Sequence, residues 1–415
     1  MVKVHLYSLV LLAGLIASQF LGGRGQALIK LLTMFCLSFI LIRIGYEFEI
    51  RKERAPKYIW DQVVAMTTTV FPWMFCAAYF AFAIAPPELR WSRDLWWESL
   101  LLGRFAAPTS VGILFPMLAA AGLSGTWLYK KAKTLIIFDD LNTLMLLLPL
   151  KFLLVSKNAE MALLVFLAMG LFWAAWRYLY VARRPIKLPV RWPWVIFYSV
   201  TISAVVEGLN IGNKAIDTNV PLNLEVLVPA FIVGTLIARA PQTGLQADHT
   251  HASPQQGLDS AQEQRVSTLV SACFMALVGL SLPPLANLPL NSMHTGTIMA
   301  GKYEGVPPDV LAQLQKFPGW SIIVIHVLIL TALSNLGKMV PAFWYRNEAG
   351  GRECLALSIG MYPRGEVGAA VLLVSLSYGI NDIMLTVAVL SLTLNLLGSG
   401  FFVLAVKRLV APAAE

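Results

Sequence analysis

Two adjacent acids, Asp139 and Asp140, stand in the middle of an apolar stretch that is long enough to cross a lipid bilayer. Two neighbouring carboxylates at bilayer depth cannot both be ionised cheaply, because like charges repel and the hydrocarbon solvates neither. Such a pair can exchange a proton for a hard cation, which prefers oxygen ligands. The structural alternative is that one acid keeps its proton and serves as a hydrogen-bonding contact. For an adjacent pair we favour the site for a cation and protons.

A lysine at the end of a different apolar stretch could complete this chemistry. Lys338 closes the segment Ser-Asn-Leu-Gly-Lys at 334–338. On its own, such a lysine can extend its ammonium group to the membrane surface, and that alternative is as good as a functional one. Beside an intramembrane carboxylate pair the ammonium group has a partner, and a buried lysine can carry a proton itself. We therefore expect Lys338 to pair with the acids.

Two apolar stretches are interrupted by proline among small and polar residues. The sequence reads Ala-Pro-Thr-Ser-Val-Gly at 107–112 and Gly-Met-Tyr-Pro-Arg-Gly-Glu at 360–366. Proline inside a helix removes one backbone hydrogen bond and frees carbonyl groups. Unwound backbone at membrane depth is tolerated where it is buried or lines a cavity, and transporters bind ions there. Arg364 and Glu366 fall in the second interruption, where we favour an internal ion pair that braces the chain over direct contact with an ion.

The composition places these residues in a membrane protein. The chain has 415 residues, of which 57% are hydrophobic and 13% charged, and its mean hydropathy is +0.68. A soluble protein carries about 25% charged residues, so both a soluble globular enzyme and a disordered chain are excluded. The apolar runs predict an all-α polytopic membrane protein with about twelve transmembrane helices. These spans are predicted at 4–22, 27–48, 60–85, 97–121, 132–154, 160–181, 193–211, 222–240, 265–285, 319–340, 353–380 and 383–406.

The chain has a formal charge of +9 and a pI near 9.4, and the distribution of its basic residues indicates how it is oriented. With the N-terminus in the cytoplasm, the cytoplasmic segments contain about twice as many Lys and Arg residues as the opposite ones, which agrees with the positive-inside rule. Lys131 and Lys133 are assigned to one of these cytoplasmic segments. We expect both termini in the cytoplasm, a bacterial inner membrane as the location, and no nucleic-acid partner. Glu207, Glu225, Arg43 and Arg104 are interpreted as helix-end or interhelical contacts rather than transport residues.

The two interruptions occupy corresponding places in two five-helix units. Spans 1–5 and spans 8–12 form these units, and each interruption falls in the fourth member of its unit. Because five is odd and two helices intervene, the second unit begins on the opposite side of the membrane. This arrangement is an inverted repeat, and its binding site is expected near the midplane, where the two broken helices cross.

These motifs resemble those of the monovalent cation:proton antiporter superfamily, which has the sodium/proton exchanger fold. The segment at 360–368 is similar to the family's G-M-x-P-R-G-E-V-G sequence, and the resemblance covers roughly residues 5–408. Further matches are the paired-acid motif Phe138-Asp139-Asp140, the unwound Thr109-Ser110, the Ala-Phe-Ile-Val-Gly segment at 230–234 and the lysine in Gly337-Lys338.

The resemblance implies a role for each matched residue. Asp140 matches the family's main ligand for the cation and the proton, and Asp139 matches the acid that pairs with the lysine, here Lys338. Thr109 and Ser110 match positions whose oxygens help to hold the ion. Members with two acids resemble the electrogenic exchangers, which move more protons than cations. The resemblance implies transported Na+ at Asp140, and no resident cofactor.

The resemblance also implies an architecture. One membrane domain at 1–410 would contain a core at about 58–155 and 319–408, a scaffold at about 1–50 and 222–285, and linker helices at about 160–211. Family members of this kind are usually homodimers. Pro108, directly before Thr109, and the long segment at 286–318 depart from the family pattern and leave the choice of cation open. The segment at 286–318 is expected to contain a short interfacial helix.

The sequence therefore predicts a secondary active antiporter, not an enzyme, that exchanges Na+ or Li+ for protons by alternating access. Alternatives within carriers are a potassium/proton antiporter and a sodium-coupled symporter of organic anions with the same fold. No nucleotide-binding domain is expected after residue 410, which argues against the control used by the potassium-efflux relatives. An intramembrane aspartyl protease needs acids on facing helices and a G-x-G-D segment, and neither pattern is found. A channel or sensor on the same scaffold would lack saturable flux coupled to protons.

Overall fold

The computed structural model describes residues 2–21, 25–46, 55–154, 191–216, 226–236, 261–280, 319–377 and 383–410. Within these ranges the chain is helical, with turns and short unwound segments between the helices and no strand. The first α-helices are α1 Val2–Leu21, α2 Gln26–Tyr46, α3 Ala55–Tyr79, α4 Arg93–Gly103, α5 Val111–Ala120, α6 Trp127–Leu154 and α7 Trp192–Ile216. They are followed by α8 Leu227–Leu236, α9 Ala261–Leu280, α10 Trp320–Leu336, α11 Pro341–Trp344, α12 Gly351–Gly360, α13 Glu366–Ser377 and α14 Ile383–Val410.

Several of these helical stretches are long and apolar enough to cross a bilayer. Five stretches in the described part of the chain meet this condition, namely Lys57–Ile84, Arg93–Ala120, Trp192–Leu209, Trp320–Trp344 and Ile383–Val410. Backbone polar groups in hydrocarbon must be satisfied within the chain, and helices do this with their own hydrogen bonds. The protein is therefore an all-α membrane protein, which confirms the class that the composition predicts.

The predicted spans that fall on described residues coincide with helices. The predicted span at 160–181, the segment at 286–318 with its interfacial helix, and most of the connection at 241–264 lie outside the described residues. Whether the chain has twelve spans therefore stays a prediction.

The first predicted interruption separates α4 from α5. After α4 ends at Gly103, a short 3₁₀ turn covers Arg104–Ala106, and the backbone is then unwound as far as Ser110. Pro108 accounts for the break, because it has no N–H to donate to the preceding turn. Ser110 then starts α5 as its N-cap, with its hydroxyl oxygen accepting from the N–H of Ile113 at 3.3 Å.

The second interruption separates α12 from α13 and contacts the first. Residues 361–365 are unwound around Pro363. The N–H of Ser110 donates to the carbonyl of Pro363 at 2.9 Å, so the two unwound segments are joined by a backbone hydrogen bond. At Gly365 an added Cβ would lie 2.5 Å from the hydroxyl oxygen of Ser110. Only glycine allows the two segments to approach this closely.

The start of the helix that carries the paired acids differs from the prediction. The apolar pattern predicts a start at 132, but α6 begins at Trp127, with the hydroxyl of Thr126 accepting from the N–H of Tyr129 at 3.2 Å. Lys131 and Lys133 therefore lie within the helix, and both are buried. The apolar pattern missed them because a local cap and polar partners hold this first turn, and neither leaves an apolar signal.

The chain divides into two compact units. One consists of Met1–Ile29, Lys57–Leu144 and Met275–Glu415, and the other of Lys30–Pro56 and Met145–Phe274. In the first unit α14 packs along α10 and α12. All residues that the sequence singles out for the site belong to this unit.

In the second unit polar side chains link helices. Lys30 forms an ion pair with Glu207 at 2.9 Å, and Arg43 donates to the carbonyl of Glu263 at 3.2 Å. The interpretation of Glu207 and Arg43 as interhelical contacts is confirmed. Glu225 lies outside the described residues, and Arg104 is buried in the 3₁₀ turn that follows α4.

Candidate functional site

The centre of the candidate site is the carboxylate of Asp139, which is fully buried. Its Oδ2 atom accepts from the ammonium group of Lys338 at 2.7 Å, and from the backbone N–H and the hydroxyl of Thr109 at 3.1 and 3.0 Å. Its Oδ1 atom accepts from the hydroxyl of Thr69 at 2.6 Å. Four hydrogen bonds from three elements therefore converge on one carboxylate. Such a set of donors holds the carboxylate in one orientation.

Lys338 lies completely buried in a short 3₁₀ turn, Gly337–Met339, directly after α10. Besides Asp139, its ammonium group donates to the carbonyl of Ala107 at 2.6 Å. This carbonyl belongs to the first unwound segment, so the break supplies an acceptor to the lysine. The Lys338 side chain therefore does not extend to the membrane surface, which was the alternative that the sequence left open.

The turn that carries Lys338 is packed tightly against α3. A Cβ added at Gly337 would lie 2.4 Å from the backbone nitrogen of Pro72 and 2.7 Å from its Cα. Glycine is thus required by the close approach of two backbones, and this contact fixes the depth of Lys338 relative to α3.

Thr109 and Ser110 both lie in the first unwound segment and are buried. The hydroxyl of Thr109 is within reach of the Asp139 carboxylate and also of the carbonyl of Met361 in the second unwound segment, at 3.2 Å. Ser110 caps α5 with its hydroxyl and bonds to the second segment with its N–H. Both residues therefore hold the crossing of the two breaks together.

Asp140 follows Asp139 on α6 and is also buried, but it retains 7% of its surface whereas Asp139 retains none. The two acids thus have different surroundings. Asp139 is enclosed in the network with Lys338, and Asp140 is the acid with the remaining exposed surface.

Arg364 is fully buried and binds backbone carbonyls. Its guanidinium group donates to Met361 and Tyr362 at 3.2 Å each, and to Ser334 at 2.9 Å. Ser334 lies in the last turn of α10, where carbonyl groups lack helical partners and attract a cation. Arg364 therefore ties the second break to the helix that precedes Lys338. The side chain of Glu366 lies outside the described residues, so the predicted ion pair with Arg364 stays a prediction.

Thr69 is a site residue that sequence reasoning did not identify. It is the last of three consecutive threonines in α3, and a hydroxyl in an apolar helix usually bonds to its own backbone. The hydroxyls of Thr67 and Thr68 do this, at 2.7 and 2.9 Å from the carbonyls of Val64 and Ala65. Only the structure distinguishes Thr69 from its neighbours, because only the structure places Asp139 opposite it.

A second charge cluster, in which all members except Glu348 are buried, was also missed. The ammonium group of Lys131 is 2.8 Å from the Asp61 carboxylate and 2.8 Å from the carboxylate of Glu348, and it lies 4.2 Å from the ring centre of Tyr345. The hydroxyl of Tyr345 donates to Asp61 at 2.6 Å. We call these four residues the Lys131 cluster. Each lies near the end of a predicted span, where a charge or a tyrosine normally indicates the membrane surface rather than a buried contact.

The surroundings of the Lys131 cluster agree with a position at the edge of the membrane. The neighbouring residues Trp60 and Trp344 stack with their ring centres 5.0 Å apart, and both are partly exposed. Tryptophan is enriched at membrane–water interfaces. Tyr345 lies one residue beyond the apolar stretch Trp320–Trp344, and burial together with the Asp61 carboxylate raises the pKa of its hydroxyl. The hydroxyl therefore remains a hydrogen-bond donor at neutral pH.

The buried site around Asp139 contains oxygen atoms that could bind a cation, and it also contains the ammonium group of Lys338, which competes for them. Carboxylate, hydroxyl and carbonyl oxygens suit a hard monovalent or divalent cation. Among the described residues no three His, Cys, Asp or Glu side chains come together as a metal site. Oδ2 of Asp139 and the carbonyl of Ala107 are instead bound to the ammonium group of Lys338. No protein-family model matches this sequence, and no curated protein is significantly similar to it.

Proposed function

We propose that this protein is a secondary active antiporter that exchanges a monovalent cation, Na+ or Li+, for protons by alternating access. The observation that carries the proposal is the fully buried pair of Asp139 and Lys338 at the crossing of two broken helices, with Asp140 next to it. A buried ion pair is a poor source of stability, because desolvation costs about as much as the attraction returns. The presence of the Asp139–Lys338 pair is better explained by a transport site, in which one cation replaces another during the cycle.

The proposed cycle follows from competition among positive charges for two carboxylates. A cation enters at Asp140, which is the acid with exposed surface, and its charge weakens the hold of Asp139 on Lys338. Lys338 is then released and can lose its proton. When the site opens to the other side, protons displace the cation and the pair of Asp139 and Lys338 forms again.

The proposal includes an architecture. We propose about twelve spans, an inverted repeat of five helices that contains the two breaks, and a homodimer with both termini in the cytoplasm of a bacterial inner membrane. It also includes membership of the monovalent cation:proton antiporter superfamily, on the strength of the motifs at Asp139-Asp140, Thr109-Ser110 and 360–368. The hydrogen bond between Ser110 and Pro363 supports the crossing of the two breaks.

The test is transport by purified protein in liposomes. Concentration jumps of Na+, Li+ and K+ are applied while the current is measured on a solid-supported membrane and the internal pH is followed with a dye. A cation that drives both signals is a substrate, and a current during exchange shows that protons and cations move in unequal numbers. The potential contributes about 2.3 kcal/mol per charge per 100 mV, which is enough to drive such an exchange.

The decisive variant is Asp140→Asn, which removes the charge and keeps the shape. We expect it to abolish exchange of every cation. The matched control is Asp94→Asn, because Asp94 undergoes the same chemical change at a partly exposed position at the start of α4. Full exchange by Asp140→Asn would contradict the site assignment. Absence of flux of all three cations in the wild type, checked with isotopes, would contradict the function.

A further inference from the structure

We infer that Thr69 is a positioning residue of the cation site, which holds Asp139 in place while Lys338 is away. The inference rests on the proposed function, because it concerns a step of the proposed cycle. The observation behind it is the short hydrogen bond of 2.6 Å from the Thr69 hydroxyl to Oδ1 of Asp139, between two fully buried residues. A distance of about 2.5–2.7 Å is typical of a hydroxyl that donates to an ionised carboxylate.

The number of available donors and acceptors assigns the proton of this hydroxyl. The Thr69 oxygen is also 2.8 Å from the carbonyl of Ala65, but a hydroxyl has one proton to donate. That carbonyl has two lone pairs, of which one accepts the helical N–H and the other accepts the hydroxyl of Thr68 at 2.9 Å. The Asp139 carboxylate is the stronger remaining acceptor. The proton of Thr69 therefore points to Asp139.

The two oxygens of Asp139 have different partners, and this difference gives Thr69 its role. Lys338 and Thr109 both bind Oδ2. The hydroxyl of Thr109 is shared with the carbonyl of Met361, whereas Thr69 acts on Oδ1. When Lys338 leaves, Oδ2 loses its closest donor, and the bond from Thr69 keeps the carboxylate from turning away from α3.

The release of Lys338 makes the contribution of Thr69 larger. In the paired state the ammonium group neutralises most of the charge on Asp139, so one further donor matters less. In the released state Thr69 and Thr109 are the donors that remain on that carboxylate among the described residues. Loss of the Thr69 hydroxyl should therefore disfavour the released state, and cation binding, which requires this state, becomes weaker.

The test compares Thr69→Val with Thr68→Val and Thr69→Ser in liposomes. Valine keeps the shape of threonine and removes the hydroxyl. For Thr69→Val we expect the KM for Na+ to rise about tenfold, which corresponds to about 1.4 kcal/mol, while the maximal rate stays within about twofold. Thr68 is the matched control, since it is equally buried in the same helix and its hydroxyl bonds to the helix backbone. Thr69→Ser keeps the hydroxyl and should have a wild-type KM.

A second measurement keeps this test separate from that of the function itself. Na+ that binds the folded protein at a concentration c raises the midpoint of its thermal unfolding in detergent, by an amount that follows RT ln(1 + c/Kd). The concentration at which this rise begins therefore reports affinity without transport. It should increase about tenfold in Thr69→Val and stay unchanged in Thr68→Val. If Thr69→Val does not fold, Thr69→Ala is measured in the same way.

The possible outcomes are distinct. If the wild type exchanges Na+ and the KM of Thr69→Val equals that of Thr68→Val, the role of Thr69 is wrong and the antiporter proposal stands. If serine fails to restore the KM, the effect comes from packing and the inference is likewise wrong. If the wild type neither transports Na+ nor is stabilised by it, the proposed function fails and the role of Thr69 fails with it.

Discussion

The Lys131 cluster provides the most direct test of the structure outside the candidate site. In Lys131→Met the ammonium group is lost, while an unbranched side chain still fills most of its space. The ion pairs to Asp61 and Glu348, both 2.8 Å long, disappear together. So does the contact of the ammonium group with the ring of Tyr345 at 4.2 Å.

The expected loss of stability follows from the burial of the partners. Removing one partner of a buried ion pair costs about 3–5 kcal/mol, because a charge is left without its counter-ion. Asp61 keeps the hydrogen bond of 2.6 Å from Tyr345, and the side chain of Glu348 is 28% exposed and can be hydrated. Both facts place the loss at the lower end, about 3 kcal/mol.

The assay is thermal unfolding of the purified protein in detergent, followed by tryptophan fluorescence. A change of 1 kcal/mol moves the midpoint by about 2–4 °C in a domain of 150–250 residues, so we expect a decrease of roughly 5 °C in this larger chain. The control is Lys130→Met, since Lys130 is the exposed neighbour on the same helix. Its midpoint should stay within about 1 °C of the wild type.

A double substitution separates the ion pair from general damage to α6. Asp61→Asn removes the opposite charge, so the variant that carries both Lys131→Met and Asp61→Asn leaves no uncompensated charge between them. Its midpoint should lie well above the value expected from adding the two single losses. Additive losses, or a midpoint for Lys131→Met no lower than that for Lys130→Met, would refute the buried cluster.

Two further substitutions test the geometry of the site. Gly337→Ala places a Cβ 2.4 Å from the backbone nitrogen of Pro72 and should lower both the unfolding midpoint and cation exchange. Gly350→Ala is its control, because an added Cβ there meets nothing within 4 Å. Arg364→Gln keeps a polar side chain but loses most donors to three carbonyls, and should reduce the maximal exchange rate more than tenfold. Arg364→Lys should be nearly as impaired, because a lysine cannot reproduce the planar arrangement of donors, and a wild-type rate in either variant would contradict this role.

The sequence predicted those features that depend on a residue whose type is energetically unfavourable at its position. Asp139 and Lys338 are charged residues in apolar stretches, and Pro108 and Pro363 are helix breakers in stretches that otherwise read as helix. A residue that is expensive in hydrocarbon is retained for a reason, so its position alone indicates a site. The breaks at 107–110 and 361–365 were predictable for the same reason.

The features that the sequence missed consist of residue types that are ordinary at their positions. Thr69 resembles Thr68 in every local respect, and Lys131 resembles any lysine at a membrane surface. The partners of Arg364 are backbone carbonyls, which no side-chain pattern encodes. In each case the decisive contact joins residues far apart in the sequence, so one sequence without its fold carries no sign of it.

The Lys131 cluster and the candidate site are built on the same elements. Lys131 lies about two turns before Asp139 on α6, and Asp61 lies about two turns before Thr69 on α3. Tyr345 follows the turn that contains Lys338 through the short helix α11. A movement that separates Asp139 from Lys338 by shifting these elements must therefore either break the contacts of Lys131 or carry the whole cluster with it. If the proposed cycle is correct, the loss of the cluster in Lys131→Met should change the rate of exchange while the KM, which is set by contacts inside the site, stays the same.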